Sequence, residues 1–164
     1  AALTCVESTA RARLSPPLCV STKMRWSKLK QRIESGFAPA LSRRVQLHTT
    51  RYRNAHDGMG RSWITVDETE IINMQHLAGE AANEAPERFE KGVFTAYDLP
   101  TSMREFLNMN IDDAMDSSNP LIRAIAVIDR RLGKRRVQLL DASTETFPVD
   151  VLIRLRQESA KIDA

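Results

Sequence analysis

Residues 43–67 read RRVQLHTTRYRNAHDGMGRSWITVD, and this stretch decides the fold. Its first part, residues 43–53, is rich in β-branched and aromatic residues and predicts a strand. An Asp-Gly pair within residues 54–60 is a strong turn signal, and residues 61–67 return as a second strand. Residues 70–74 predict a third strand after a short turn. Because short turns join antiparallel strands, the pattern indicates an antiparallel meander of two or three strands.

Amphipathic helices are predicted before and after the meander. Residues 25–35 carry one apolar stripe at helical spacing. A capping box at Ser102 begins a helix that should run to about Met115. Asn119 and Pro120 suit the cap and the first turn of another helix. The predicted fold class is α+β, a two- to three-stranded antiparallel meander packed with several amphipathic helices.

Four further segments give weaker predictions. The helix that begins at Pro120 has a buried stripe reaching Leu132, with Gly133 at its C-terminal cap. Pro148 should open a last helix that ends near Ala160. Three ranges remain: 76–91 predicts one or two short helices, 93–97 an additional strand, and 137–140 either a strand or a short helix.

Residues 1–23 differ in composition from the remainder. They hold a Pro-Pro pair, both cysteines of the chain and only one acidic residue, and no helical or strand period persists through them. We expect a disordered leader or translated sequence upstream of the start at Met24, with an organellar transit peptide as the alternative. Residues 24–164 are then a single α+β domain. That domain lacks cysteine, which excludes a Cys-ligated zinc site within it.

The charges are segregated along the chain. The protein has 164 residues and a formal net charge of +3. Residues 24–64 contain nine basic and two acidic residues, and residues 121–164 contain nine basic and six acidic ones. Residues 65–120 contain three basic and twelve acidic residues. The acidic segment is a solvated face, a mimic of a polyanion that blocks binding within the same chain, or a docking surface for a basic protein partner. The basic segments favour a polyanion.

The first basic group lies in the predicted hairpin. If Arg53 pairs with Arg61, then Arg51 faces Trp63 and Thr49 faces Thr65. Arginines around an indole can bind phosphates while the ring stacks on a base. The alternative is an arginine packed over Trp63 on an ordinary solvent face.

The second basic group has five cations in seven residues. They are Arg130, Arg131, Lys134, Arg135 and Arg136. Such a cluster can neutralise phosphates and would make binding depend on salt. The alternative is that cations near a helix C-terminus interact favourably with its dipole.

An enzymatic alternative rests on the same hairpin. His56, with His48 or Tyr52, supplies the parts of a metal-independent nuclease or phosphodiesterase in which arginines hold the phosphate. In the register given above, His48 and Tyr52 share the strand face of Ile64 and Val66, which favours packing instead. The histidines have no diagnostic metal-ligand spacing, and the sequence has no Walker loop or dinucleotide fingerprint, so no metal or cofactor is predicted.

From Met24 onward the chain resembles a family of small, uncharacterised bacterial proteins. The likeness spans most of residues 24–157. Four stretches carry it: MRWSKLK at 24–30, HTTRYRNAHD at 48–57, GRSWITVD at 60–67, and NPLIRA at 119–124 leading into DRRLGKR at 129–135. The resemblance implies a bacterial cytosolic protein and brings no activity with it.

Three functional hypotheses follow. The leading one is a cytoplasmic, non-enzymatic module that binds RNA, DNA or another polyanion. The alternatives are the small nuclease that uses His56 and a protein–protein adaptor that docks through residues 65–120. No membrane partner is expected, because the best apolar stretch, residues 121–128, is interrupted by Arg123.

Overall fold

The computed structural model describes residues 24–50, 52, 60–75 and 85–162. Its sheet has three strands in the order β1-β2-β3, and both pairs are antiparallel. The strands are β1 (Val45–Thr49), β2 (Arg61–Val66) and β3 (Thr69–Gln75). The predicted meander is confirmed in its three-stranded form, although β1 ends at Thr49 rather than at residue 53.

Seven α-helices occur in the described residues, and the α+β class is confirmed. They are α1 (Trp26–Glu34), α2 (Ala85–Glu90), α3 (Asp98–Phe106), α4 (Ile111–Met115), α5 (Pro120–Ile128), α6 (Lys134–Gln138) and α7 (Val149–Ile162). A short 3-10 turn, Pro39–Leu41, connects α1 to β1. None of the described helices is long and apolar enough to cross a membrane.

Helix α5 lies at the centre of the core. All of its residues except Arg123 are buried, and it packs against α3, α4 and α7. Asn119 caps it, since the Asn119 side chain accepts a hydrogen bond from the Leu121 N–H at 2.9 Å, and Pro120 occupies the first turn. The start predicted from Asn119 and Pro120 is therefore confirmed.

The end of α5 was predicted wrongly. The helix stops at Ile128 instead of continuing toward Leu132. Asp129 takes an extended conformation and forms a bridge with Phe37, and the Arg130 N–H bonds the Gly36 carbonyl at 2.8 Å. This pairing across the molecule removes residues 129–130 from the helix. Gly133 consequently lies at the N-terminal cap of α6 rather than at the C-terminal cap of α5.

The capping box at Ser102 was also wrong. Helix α3 already begins at Asp98, and Ser102 is buried within it, where its hydroxyl accepts a hydrogen bond from Asn119. The predicted single helix to Met115 is two helices. Asn110 starts the second one by accepting a bond from the Asp113 N–H at 2.8 Å.

Of the remaining predicted elements, the first and last helices are confirmed and one strand is wrong. Helix α1 and the last helix, α7, match their predicted ranges closely, and residues 137–140 contribute to a short helix rather than a strand. The additional strand at 93–97 was wrong, because only Thr95 forms a bridge there, with Gln75. Helix α2 occupies the end of the range 76–91. Residues 1–23, 54–59 and 76–84 lie outside the described residues.

Candidate functional site

The register of β1 and β2 decides which side chains surround Trp63. His48 lies opposite Trp63, and Thr49 lies opposite Ser62. The predicted pairings, Arg51 with Trp63 and Thr49 with Thr65, were wrong by three residues. A shift by an odd number of residues exchanges the two faces of a strand. His48 therefore shares the face of Trp63 instead of the face of Ile64.

Packing explains the observed register. Val45 and Leu47 on β1 are fully buried, and they lie on the same face as the buried side chain of Ile64 on β2. The predicted register would have placed these apolar residues on the face of Trp63. Burial of a leucine or valine side chain is worth roughly 1.5–3 kcal/mol. The free energy gained by burying Val45 and Leu47 therefore outweighs any advantage of the shorter connection that the predicted register would allow.

The solvent-facing side of the sheet carries the cluster that we call the Trp63 platform, formed by His48, Arg61, Trp63 and Glu70. The His48 and Trp63 rings stack with centroids 4.9 Å apart and planes 8° from parallel. The Arg61 guanidinium carbon lies 4.2 Å from the centroid of Trp63. Arg61 also pairs with Glu70 at 3.2 Å. Both Arg61 and Trp63 are half-buried, so the platform remains open to solvent on part of its surface.

His48 is held as a neutral ring. Desolvation by burial, followed by the nearby Lys30 and Arg61 cations, lowers the pKa of His48 below its usual value of 6.5. Its Nε2 lies 3.0 Å from the Thr65 hydroxyl. A neutral imidazole suits stacking on an indole. The hydroxyl contact occupies Nε2, one of the two ring nitrogens through which a histidine can act as a general base.

Tyr52 lies beside the platform and is 57% exposed. Its ring rests directly on Gly60, because a Cβ at residue 60 would lie 2.3 Å from Tyr52 Cε2. Gly60 is thus the residue that lets the Tyr52 ring approach the start of β2. No other predicted catalytic group is placed beside Tyr52 by the described residues.

Three residues of the predicted site fall outside the described part of the chain. They are Arg51, Arg53 and His56. Their assignment to phosphate binding or catalysis stays a prediction. They belong to the connection between β1 and β2, and that connection leaves β1 after Thr49, at the end of the sheet where Arg61 begins β2.

At least two of the five cations in the cluster 130–136 pair with acidic residues. Arg131 pairs with Asp129 at 3.1 Å and lies over the Phe106 ring, and Arg136 pairs with Asp112 at 2.6 Å. Within the described ranges, Arg130 and Arg135 are exposed and have no acidic partner. Lys134 and Arg130 line a common cavity.

Arg156, which the sequence analysis missed, organises the turn that carries this cluster. It is 6% exposed and donates to the carbonyls of Val127, Asp129 and Leu132, with 2.7 Å to Asp129. Burial lowers the pKa of Arg156. A sequence signal existed, since Arg156 follows Leu152 by four residues and so falls on the buried face of α7.

The two basic regions lie on separate elements. The Trp63 platform is on the sheet, whereas the cluster 130–136 lies where α5, α6 and α7 meet, and the described residues show no ion pair between them. Among these residues no group of three or more His, Cys, Asp or Glu side chains is arranged to hold a metal ion.

Comparison with known proteins gives one match. The model of the SF0329 protein family matches residues 25–85 and 78–157, which is most of the chain and begins one residue after Met24. The family is an uncharacterised one and brings no activity or partner. No curated protein and no solved structure matches.

Proposed function

The chain belongs to the SF0329 protein family, and we propose that it binds single-stranded nucleic acid on the Trp63 platform as a non-enzymatic module. One observation carries the proposal. A half-buried indole lies on the solvent face of a sheet with a guanidinium 4.2 Å from its centroid. Sheets that bind single strands use exposed aromatic rings to stack bases and cations to hold phosphates.

The His48–Trp63 stack supports this use of the indole. The indole is already restrained by His48, with ring centroids 4.9 Å apart, so it loses little further freedom when a base contacts it. Because Trp63 lies on the central strand and pairs with His48 on β1 and Asn73 on β3, the geometry of the platform is set before binding.

Exposed positive charge on α1, which packs against β1, supplies the sequence-independent part of binding. Helix α1 presents Arg25, Lys28 and Arg32 to solvent, and within the described residues none of the three forms an ion pair. The connection from β1 to β2 adds Arg51 and Arg53 by sequence. Phosphates that contact these cations release counterions, so the affinity must fall as salt rises.

Glu70 competes with a bound phosphate for Arg61. Its carboxylate bonds Arg61 in the free protein at 3.2 Å. A nucleic-acid phosphate that binds Arg61 takes the place of Glu70, so part of the interaction is an exchange of one anion for another. This exchange predicts modest affinity for a single nucleotide and higher affinity for an oligomer that reaches the other cations.

The test is binding of a labelled single-stranded oligonucleotide, measured by fluorescence anisotropy over a range of salt. Trp63→Ala should weaken binding about fivefold or more, since stacking on an aromatic side chain is worth about 1–3 kcal/mol per base. Trp63→Phe, which keeps a smaller ring, should have an intermediate affinity. Trp26→Phe is the matched control, because Trp26 belongs to α1 and packs against the core.

Trp26→Phe also leaves Trp63 as the only tryptophan, since the chain has two. Stacking of a base should then quench its fluorescence as the oligonucleotide is added. Equal binding by Trp63→Ala and the wild type would contradict the proposal, as would the absence of binding at low salt. Product formation that His56→Ala abolishes would favour the nuclease alternative instead.

A further inference from the structure

A separate cavity of about 240 Å³ lies between the 3-10 turn and α7, beside the turn that follows α5. Most of its wall is apolar and comes from Ala38, Pro39, Leu41 and Ala160. Three cationic side chains also line it: Arg130, Lys134 and Arg156. No carboxylate side chain of the described residues lines this cavity. Arg130 and Arg156 therefore place positive charge beside an apolar wall.

Arg156 is the buried member of this set, at 6% exposed. Its three hydrogen bonds to carbonyl oxygens use both Nη1 hydrogens and one Nη2 hydrogen. Two of the five guanidinium donors thus remain, the Nε–H and one on Nη2. Buried charges in proteins are normally paired with an opposite charge, and carbonyl oxygens supply only partial negative charge.

The nearest carboxylate is already in use. Asp129 bonds the Arg131 side chain through both of its oxygens, at 3.1 and 3.2 Å. Burial is the main influence on the pKa of Arg156 and lowers it, and Asp129 opposes the shift only in part. An anion within the cavity would supply the missing negative charge and would therefore be stabilised there.

Arg130 marks the outer edge of the cavity. It is exposed and has no ion-pair partner in the part of the chain that the structure describes. The bond from its backbone N–H to the Gly36 carbonyl, at 2.8 Å, fixes the backbone from which its side chain leaves. A guanidinium in such a position can bind a carboxylate or a phosphate with two parallel hydrogen bonds.

We propose that this cavity binds a small amphipathic anion, a carboxylate or a phosphate monoester that carries a short apolar tail. The anionic group contacts Arg130 and Arg156, and the tail lies along Leu41, Pro39 and Ala160. The volume is slightly below the roughly 300–1,000 Å³ of common ligand pockets, which favours a short tail. The site shares no residue with the Trp63 platform and does not depend on the proposed binding of nucleic acid.

The experiment titrates the full ¹⁵N-labelled chain with three probes and follows the backbone amides by NMR. Hexanoate and butyl phosphate are the anionic probes, and hexanamide is the neutral counterpart of hexanoate. The anions should give saturable shifts concentrated at residues 38–41, 130 and 160. Hexanamide should bind at least about tenfold more weakly, because charge-assisted hydrogen bonds are lost.

Variants test whether the changes in amide chemical shift come from binding in the cavity. Arg130→Gln should weaken binding of the anions about tenfold, in proportion to one charge-assisted contact. Ala160→Leu fills the cavity and should abolish binding while the remaining spectrum keeps its dispersion. Arg154→Gln is the matched control, since Arg154 is an exposed residue on the same helix and does not line the cavity.

The results distinguish a specific anion site from nonspecific binding. Saturable binding of either anion at these amides supports the site, and a preference for one of them identifies the head group. Equal binding of hexanamide and hexanoate would overturn the proposal, as would shifts that never saturate. A loss with Arg154→Gln as large as that with Arg130→Gln would also overturn it, because general electrostatics would then explain the binding.

Discussion

His48 and Arg61 show how single side chains prepare Trp63. The imidazole is kept neutral by burial and by neighbouring cations, which favours stacking on the indole. The guanidinium is positioned by Glu70 as well as by the ring. Each of these residues can be altered without touching the buried core, so their contributions can be measured one at a time.

The first residue-scale prediction concerns pH. Because the folded state lowers the pKa of His48, the unfolded chain binds more protons as the pH falls below about 6.5, and the folded protein loses stability there. Above that pH both states carry a neutral ring, and His48 contributes no slope. Urea unfolding between about pH 5 and about pH 8 measures the effect.

His48→Gln tests whether His48 causes the loss of stability at acidic pH. It removes the titrating group and should flatten the dependence of the free energy of unfolding on pH in the acidic part of the range. His56 and His76 remain present as the background. An unchanged slope in His48→Gln would mean that the acid sensitivity has another origin.

The second residue-scale prediction concerns Glu70. Glu70→Gln frees Arg61 from its ion pair and should raise affinity for single-stranded nucleic acid by up to about fivefold, given that partly exposed pairs are worth roughly 0.2–1 kcal/mol. Anisotropy at fixed low salt measures it. Glu68→Gln makes the same change of charge in the adjacent turn, without contact to Arg61, and should have a smaller effect. Equal gains from both variants would show that only net charge matters.

At the scale of elements, the start of α5 was predicted correctly and its end was not. Asn119 and Pro120 define the start of α5 through one hydrogen bond and one fixed dihedral angle, both of which depend on adjacent residues. Its end depends on a bridge between Phe37 and Asp129, which are far apart in the chain. Gly133 was misassigned for the same reason, since no local pattern contains Phe37.

The cap of α5 gives a prediction at this scale. Asn119→Ala should lower the free energy of unfolding by about 1 kcal/mol, because the Leu121 N–H loses its acceptor. Asn119→Ser keeps a capping oxygen and should recover part of the loss, because the bond from the Asn119 amide to the Ser102 hydroxyl is absent in both variants. Chemical denaturation of the wild type and the two variants measures the free energy of unfolding. A serine variant as unstable as the alanine variant would contradict a capping role.

The whole molecule is joined by charged side chains that reach between distant elements. Arg44 connects the sheet to α7, with bonds to Asp67 and to the Ser159 hydroxyl at 2.7 Å. Arg156 connects α7 to the turn after α5 through three carbonyl groups. The Arg156 bonds tie the turn 129–132 to α7 beside the proposed anion cavity.

Arg156 gives the prediction at this scale. Arg156→Met should lower the free energy of unfolding by about 3 kcal/mol or more, since the buried Val127 and Leu132 carbonyls lose the bonds from the guanidinium and the Asp129 carbonyl keeps only its bond from the Leu132 N–H. Arg154→Met, on the exposed face of the same helix, should change it by less than about 0.5 kcal/mol. Similar losses in both variants would argue against a special role of the buried guanidinium.

The sequence by itself determined the class of the fold, the three strands of the meander, and the first and last helices. Those features follow from periodicity and from turn and cap residues, which act over a few neighbours. The tertiary structure decided the register that sets His48 against Trp63, the end of α5, and the burial of Arg156. The physical reason is that each of these depends on which apolar side chains share the core, and that competition involves residues distant in the chain.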